Sequence, residues 1–407
     1  MAEEPPGAQD ATVPTDPTRP SLGRNVYALS VVSFLTDVSS EMIYPLLPIF
    51  LTTVLGANAS FIGAIEGAAE TTASLLKLAS GWWSDRMKRR KPLVVLGYGI
   101  ASAMRPLVAI AQSASQVLLI RVADRVGKGI RNAPRDALLA ESVHPSIRGR
   151  AFGFHRAADH AGGVLGPLIA FAVLTWHLAD LRTVFWLAAI PGALSVLVLL
   201  VAVREVPRAA TAASPDAAPD LSQPLGARFW RVMLVIFLFT LGNSTDAFLL
   251  LRASQLGVPV ALAPILWAAL HVVKSASSTP GGALSDRIGR APTLIAGWLL
   301  YALVYLGFAK AGVAWQAWAL FGFYGLYFGL TEGSERALIA DLVLPARRGT
   351  AFGWYNLAIG LGALPASILF GYVWDHAGAS MAFVMGASFA VAAAVGMALV
   401  SPRAASS

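Results

Sequence analysis

The 407-residue chain contains no cysteine, and only 13% of its residues are Asp, Glu, Lys or Arg. The missing thiols exclude disulfides, thiol catalysis and thiolate-bound metals. Histidine is scarce as well, six residues in scattered positions. No H-E-x-x-H, G-x-S-x-G or phosphate-cradling G-x-x-x-x-G-K-[ST] sequence occurs, which argues against zinc-hydrolase, serine-hydrolase and ATP-driven chemistry. No enzyme activity, cofactor or metal site is expected.

What the chain has in abundance is apolar length. Hydrophobic residues make up 56% of it, and the mean hydropathy is +0.62. That is more apolar surface than one soluble core buries, so the chain reads as an all-α integral membrane protein in a lipid bilayer. The formal charge of +8 does not point to nucleic acid, because the basic residues collect in short loops between apolar runs.

Windows of about 20 apolar residues place spans at 26–54, 59–83, 92–112, 114–142, 149–176 and 182–202. A second set lies at 228–254, 259–284, 291–311, 314–343, 347–374 and 379–400. The expected plan is a disordered tail over 1–24, a six-helix half over 25–203, a Pro- and Ala-rich linker over 204–227, a second six-helix half over 228–401 and a tail over 402–407. The first stretch lacks the apolar region of a signal peptide. Lys and Arg gather in alternate connections (RMKRRK, HPSIRGR, the linker, SDRIGRAP, LPARRG), which predicts that those loops and both termini are cytoplasmic.

The halves repeat each other. GWWSDRMKRRKPLVVLGYG (81–99) has its counterpart in GALSDRIGRAPTLIAGW (282–298). At the same offset, give or take one residue, ESVHPSIRGRAFGFHR (141–156) matches DLVLPARRGTAFGWYN (341–356). Such duplication is a transporter design.

Charge inside the spans is costly in lipid, so each such residue is a functional candidate. Asp37 and Glu41 fall four apart on one face of the first span, and Glu66, Glu70 and Lys77 form a stripe on the second. The fourth span carries Arg121, Asp124, Arg125, Lys128, Arg131, Arg135 and Asp136; the fifth carries His155, Arg156, Asp159 and His160. The second half is sparser, with Asp246, His271, Lys274, Glu332, Glu335 and Arg336. Candidates for contact with a small-molecule substrate or proton are Asp37, Glu41, Glu66, Glu70, Arg125, Lys128, Arg131, His155 and Asp159, with buried structural ion pairs as the alternative reading. A carboxylate beside Arg125 or Lys128 has the makings of a site where proton and cargo compete.

Taken together, these motifs resemble the major facilitator superfamily. Its loop pattern G-x-x-x-D-R-x-G-R-R is matched by Gly81, Asp85, Arg86, Arg89 and Arg90, with Lys88 in place of the second glycine. The second half matches with Gly282, Asp286, Arg287, Gly289 and Arg290. Arg125, Gly129 and Ala133 fit the family's R-x-x-x-G-x-x-x-A signature, and Gly162, Gly166 and Pro167 fit G-x-x-x-G-P. The resemblance implies twelve transmembrane helices, with two six-helix halves rocking about a midplane cavity. It also implies a latch formed by the loop acids, for which Arg148 and Arg348 are further contacts. Gly162 and Gly166 offer a small face for close helix approach, and Pro167 removes a backbone donor. The G-x-x-x-G-P signature is associated with exporters that exchange cargo for protons, so the resemblance implies proton-coupled efflux of a drug or metabolite. Arg125, Lys128 and Arg131 favour instead an anionic or zwitterionic cargo. A monomer in the bacterial inner membrane is the expected setting.

Overall fold

The computed structural model describes residues 21–47, 50–56, 59–175, 180–206, 224–244, 246–259 and 262–401, without the side chains of 52, 53, 59–68, 70, 71, 175, 247, 263 and 264. The expected tails and most of the linker therefore lie outside the described residues. Among the described residues there is no β-strand.

Fourteen α-helices follow one another among the described residues. In the first half of the chain these are α1 (Arg24–Ile43), α2 (Ala59–Arg86), α3 (Lys91–Met104), α4 (Ala114–Glu141), α5 (Arg148–Thr175), α6 (Leu181–Leu187) and α7 (Ala189–Ala202). The second half has α8 (Ala227–Gly242), α9 (Ala247–Gln255), α10 (Ala263–Ile288), α11 (Arg290–Lys310), α12 (Ala314–Leu342), α13 (Arg348–Ala377) and α14 (Ala379–Val400). Seven helical stretches among the described residues are long and apolar enough to cross a membrane: Arg24–Leu46, Lys91–Ile110, Pro145–Leu174, Leu181–Ala202, Arg290–Lys310, Pro345–Ala377 and Ala379–Val400. The charges on α2 and α4 dilute their apolar windows without shortening the helices.

Several predicted spans are not single helices. The first ends as α-helix at Ile43 and passes through a 3-10 turn at Tyr44–Leu46, because Pro45 supplies no N–H to continue the ladder. The third turns to 3-10 geometry over Arg105–Ile110, where Pro106 has the same effect. The sixth is divided between α6 and α7, and the seventh breaks after Gly242, where Asn243 leaves helical geometry.

The chain returns to its starting end after α7. The Arg24 guanidinium donates to the Ala202 carbonyl at 3.1 Å, and the Asn25 amide exchanges hydrogen bonds with the backbone of Arg204 at 2.8 and 2.9 Å. The two basic loops, the short 3-10 turns Pro145–Ile147 and Pro345–Arg347, and the ends of α7 and α14 all flank this same region of the repeat. We refer to it as the basic end.

Lipid gives helices no hydrophobic reason to associate, so close packing depends on small residues. A Cβ on Gly162 would stand 2.6 Å from the Phe34 carbonyl, and one on Gly166 would stand 2.7 Å from that of Val38. The glycine stripe of α5 thus seats α1 against it at Asp37 and Glu41. Gly97 and Gly127 bring α3 and α4 together in the same way. The second half instead holds an aromatic core, with Phe239 stacked on Trp298 at 4.9 Å and Tyr301 on Tyr305 at 4.1 Å.

Candidate functional site

At the basic end, two antiparallel helix pairs join the halves of the chain: α2 with α13, and α5 with α10. The Asp85 carboxylate is fully buried. It accepts the backbone N–H groups of Gly349 at 2.9 Å and Thr350 at 2.6 Å, the first turn of α13. Arg90 Nη2 lies 3.0 Å from the same carboxylate, 3.1 Å from Glu141 and 3.2 Å from the Pro345 carbonyl. The N-terminal dipole of α13 and the guanidinium both compensate the buried charge.

The repeat builds a second copy. Asp286 accepts from the N–H groups of Gly149 at 2.9 Å and Arg150 at 2.7 Å, the first turn of α5. Arg290 bonds Asp286, lies 3.1 Å from Asp341 and donates to the Pro145 carbonyl at 2.9 Å. Arg148 bonds Asp341, and both Arg148 and Arg348 donate to carbonyls at the ends of α4 and α12, those of Ala140 and Ala340.

Glycine makes this approach possible. A Cβ on Gly81 would collide with the Gly349 carbonyl, and one on Gly282 with the Gly149 carbonyl. Gly289 takes a positive φ of 99° at the turn into α11. Arg86, Arg89 and Arg287 stand apart from this network. Arg86 is exposed and folds back over the Trp82 ring at 3.5 Å, while Arg89 and Arg287 are exposed on the same end. Of the three loop arginines, the cation beside Asp85 is thus Arg90.

Further along the seam, the pairings run inward through Gly153 against Ser278, Ser275 donating to the Ala157 carbonyl at 2.8 Å, and Gly163 against His271. On the other pair they run through Gly353 against Leu78 to Gly360 against Ser74. Between them, equivalent positions of the two repeats meet: Phe152 and Phe352 at 5.9 Å, and Arg336 Nε with Asp136 Oδ2 at 3.5 Å. Near a pseudo-two-fold axis a like-charged pair would repel. Here the repeat reverses sign, with RDALLAE (135–141) answered by ERALIAD (335–341). Arg135 completes the pair, 2.8 Å from Asp136.

Deeper in the first half lies a cationic cluster. Asp124 is held by Arg105 at 3.1 Å, Arg121 at 3.8 Å and Arg125 at 4.0 Å. Half-buried Asp37 and Glu41 share one electrostatic environment with Lys128, and Arg131 acts on Asp37 as Arg125 does on Glu41. Arg131 is 5% exposed and covers the Tyr98 ring at 4.1 Å, while its Nε and Nη1 have no hydrogen-bond partner among the described residues. His155 is buried 4.0 Å from Asp159, which Arg156 pairs at 2.7 Å. The side chains of Glu66 and Glu70 lie outside the described residues.

In the second half, Lys274 Nζ sits 3.9 Å from Asp246, whose other oxygen accepts from the Tyr324 hydroxyl at 2.6 Å. Glu335 accepts from Tyr355 at 2.7 Å. His160 crosses to Glu332 at 2.9 Å. Sequence reasoning passed over Arg105, Glu141, Asp341 and Glu205. Glu205 accepts the N–H groups of Arg90 and Lys91 at 2.9 and 3.0 Å and caps α3. Only the repeat offered a signal, since Glu141 and Asp341 occupy equivalent places.

Comparison with known proteins matches this arrangement. The sequence profile of the Major Facilitator Superfamily fits residues 29–273 and 234–407. An uncharacterized MFS-type transporter of Methanocaldococcus jannaschii is 35% identical over 376 residues, covering 91% of this chain and 93% of the relative. The multidrug resistance protein MdtH of Aeromonas hydrophila is 24% identical over 366 residues, covering 88% of each. Among solved structures, the human organic anion transporter MFSD10 (TETRAN) superposes with a TM-score of 0.76 at 18% identity, covering 93% of this chain and 100% of that one. The chain therefore belongs to the Major Facilitator Superfamily and is a multi-pass membrane transporter, not an enzyme.

Proposed function

We propose that the protein is a secondary active transporter that exports a small organic solute in exchange for protons, working by alternating access between two six-helix halves. The reading takes the basic end as cytoplasmic, with both termini there, because Lys and Arg accumulate on the cytoplasmic side of membrane proteins. The sealed Asp85 and Asp286 networks then make this the state closed toward the cytoplasm. Acting as a monomer in a bacterial inner membrane, it would open the seam to load cargo and close it to release cargo outside.

The observation that carries exchange is the placement of Asp37 and Glu41. Two acids remain half-buried in the interior, seated by Gly162 and Gly166, with Arg125, Lys128 and Arg131 in their electrostatic environment. A proton and a cationic or polar cargo compete for such acids. The similarity to MdtH, whose name concerns multidrug resistance, supports efflux of a drug-like compound.

One observation favours an anionic cargo instead: the buried Arg131 has two nitrogens without a hydrogen-bond partner among the described residues. An arginine in this condition gains from a carboxylate or phosphate.

The test is a thermal-shift screen of purified protein, followed by flux of each stabilising compound in proteoliposomes under an imposed pH gradient. Exchange predicts gradient-driven flux that Asp37→Asn or Glu41→Gln abolishes while binding of neutral compounds persists. Stabilisation by organic anions that disappears in Arg131→Ala would favour the second reading. Flux indifferent to the gradient would contradict proton coupling.

A further inference from the structure

The innermost layer of the seam holds a titratable cluster that belongs to neither half alone. His160 on α5 places Nε2 2.9 Å from Glu332 Oε2 on α12. The His271 ring on α10 stands edge-on to His160, centroids 5.4 Å apart, and packs in turn against Trp267 at 5.3 Å. The His160 and Glu332 side chains are 12% and 22% exposed, so the pair is only partly enclosed although it sits in mid-helix.

Among the described residues, the charges that face this pair have partners of their own, and Arg336 also donates to the Glu332 carbonyl at 3.1 Å. On α5, Arg156 is tied to Asp159 at 2.7 Å. On α12, Arg336 turns its Nε to Asp136 of α4 at 3.5 Å, and Glu335 is bonded by Tyr355 of α13. On α10, Lys274 lies 3.9 Å from Asp246 and over the Phe328 ring at 3.5 Å. On α1, which packs against the other face of α5, Asp37 lies in the electrostatic environment of Asp159 and Arg131. Arg135 of α4 is held by Asp136 at 2.8 Å. Among the described residues, Glu332 therefore has the His160 imidazole as its side-chain partner at hydrogen-bond distance across the seam.

We propose that His160 and Glu332 form a proton-binding site that ties protonation to closure of the seam. One proton converts the pair from a net negative charge into a neutral ion pair, the form suited to a membrane interior. That ion pair exists only while α5 and α12 are together. Binding of the proton and closure of the basic end therefore favour each other, and the reciprocity is required by linkage. Opening the seam separates the partners and releases the proton at the basic end. The site is distinct from Asp37 and Glu41, and the inference rests on the proton coupling proposed above.

The natural absence of cysteine allows a direct test. Spin labels on Lys88→Cys and Leu344→Cys, both exposed and on opposite sides of the seam, report its opening in lipid nanodiscs. Raising the pH in steps is expected to shift the population from short to long distances, because loss of the proton removes the ion pair that holds α5 to α12. For one proton the shift is at most about tenfold per pH unit. His160→Gln and Glu332→Gln, which keep hydrogen-bonding capacity, should each flatten this dependence, and His271→Gln should leave a transition in place.

A distance distribution that ignores pH in the parent protein would overturn the proposal. So would a pH dependence that survives unchanged in both His160→Gln and Glu332→Gln, whichever of the two folds better. Gradient-driven flux in proteoliposomes tests transport separately: flux that responds to pH while the labels do not leaves exchange standing and removes this site.

Discussion

The carboxylate of Asp85 accepts the backbone N–H of Gly349 at 2.9 Å, joining positions 264 residues apart. Asp286 does the same to Gly149 at 2.9 Å. Each acid caps the first turn of a helix from the opposite half of the chain, so the closed seam is fastened at two related points. In the alternating-access cycle proposed above, such contacts would be made in one state and broken in the other.

Neutralising either acid should favour the open seam, and Asp85→Asn should exceed Asp286→Asn. Asp85 is fully buried, whereas the Asp286 side chain is 9% exposed. Stripping a buried charge pair of one partner costs about 3–5 kcal/mol, and about 1.4 kcal/mol is tenfold in population. Distances between spin labels flanking the seam measure the shift. Equal, negligible changes would reduce the two loops to signals of topology.

Gly81→Ala and Gly282→Ala should prevent full closure, because each added methyl meets a backbone carbonyl that no rotamer change can move. Crosslinking between cysteines on α2 and α13, or α5 and α10, should fall while expression and insertion persist. Undiminished crosslinking would show that the helices can pass at a wider spacing.

Gly166→Val should loosen the α1–α5 contact. Overpacking of this kind costs about 1–3 kcal/mol, read as a lower midpoint for loss of monodisperse protein on heating. The same substitution displaces Glu41, so gradient-driven flux should fall as well. The half-buried glycine Gly99, which has open space around an added Cβ, provides the comparison: Gly99→Val should be far milder.

Asp136→Asn should destabilise the protein, since Arg135 at 2.8 Å and Arg336 at 3.5 Å would both lose their carboxylate. About 3–5 kcal/mol is the scale for a buried pair robbed of one partner. Arg336→Gln should be gentler, because Arg135 still compensates Asp136. Melting of the two variants side by side decides the order.

The seam was legible because it is written twice. SDR in both halves, and the glycines before it, mark the two fastening points without any structure. Which arginine reaches the acid was not legible. Arg86 ends α2 and lies back over Trp82, while Arg90, at the entry to α3, turns under α13. Spacing along a sequence does not give the direction in which a loop leaves a helix. The broken spans escaped for a related reason: hydropathy sums over Pro45, Pro106 and Asn243 without registering the backbone they interrupt. The sign reversal between Arg135-Asp136 and Glu335-Arg336 stands in the aligned repeats, but its meaning depends on an axis that only packing creates. The interior acids Asp37 and Glu41 were found by their cost in lipid. Arg105 was hidden at the helix break beside Pro106.

The claim that the seam opens and closes is tested most directly by thiol labelling. Ser278 is 1% exposed beneath Gly153 on the α5–α10 contact, and Ser278→Cys introduces the sole thiol of the protein. A membrane-impermeant maleimide applied from the basic end should label it slowly in the parent protein. Labelling should be about tenfold faster or more once Asp85→Asn and Asp286→Asn are introduced, corresponding to a shift of at least about 1.4 kcal/mol. Equal rates with and without the two acids would contradict the account.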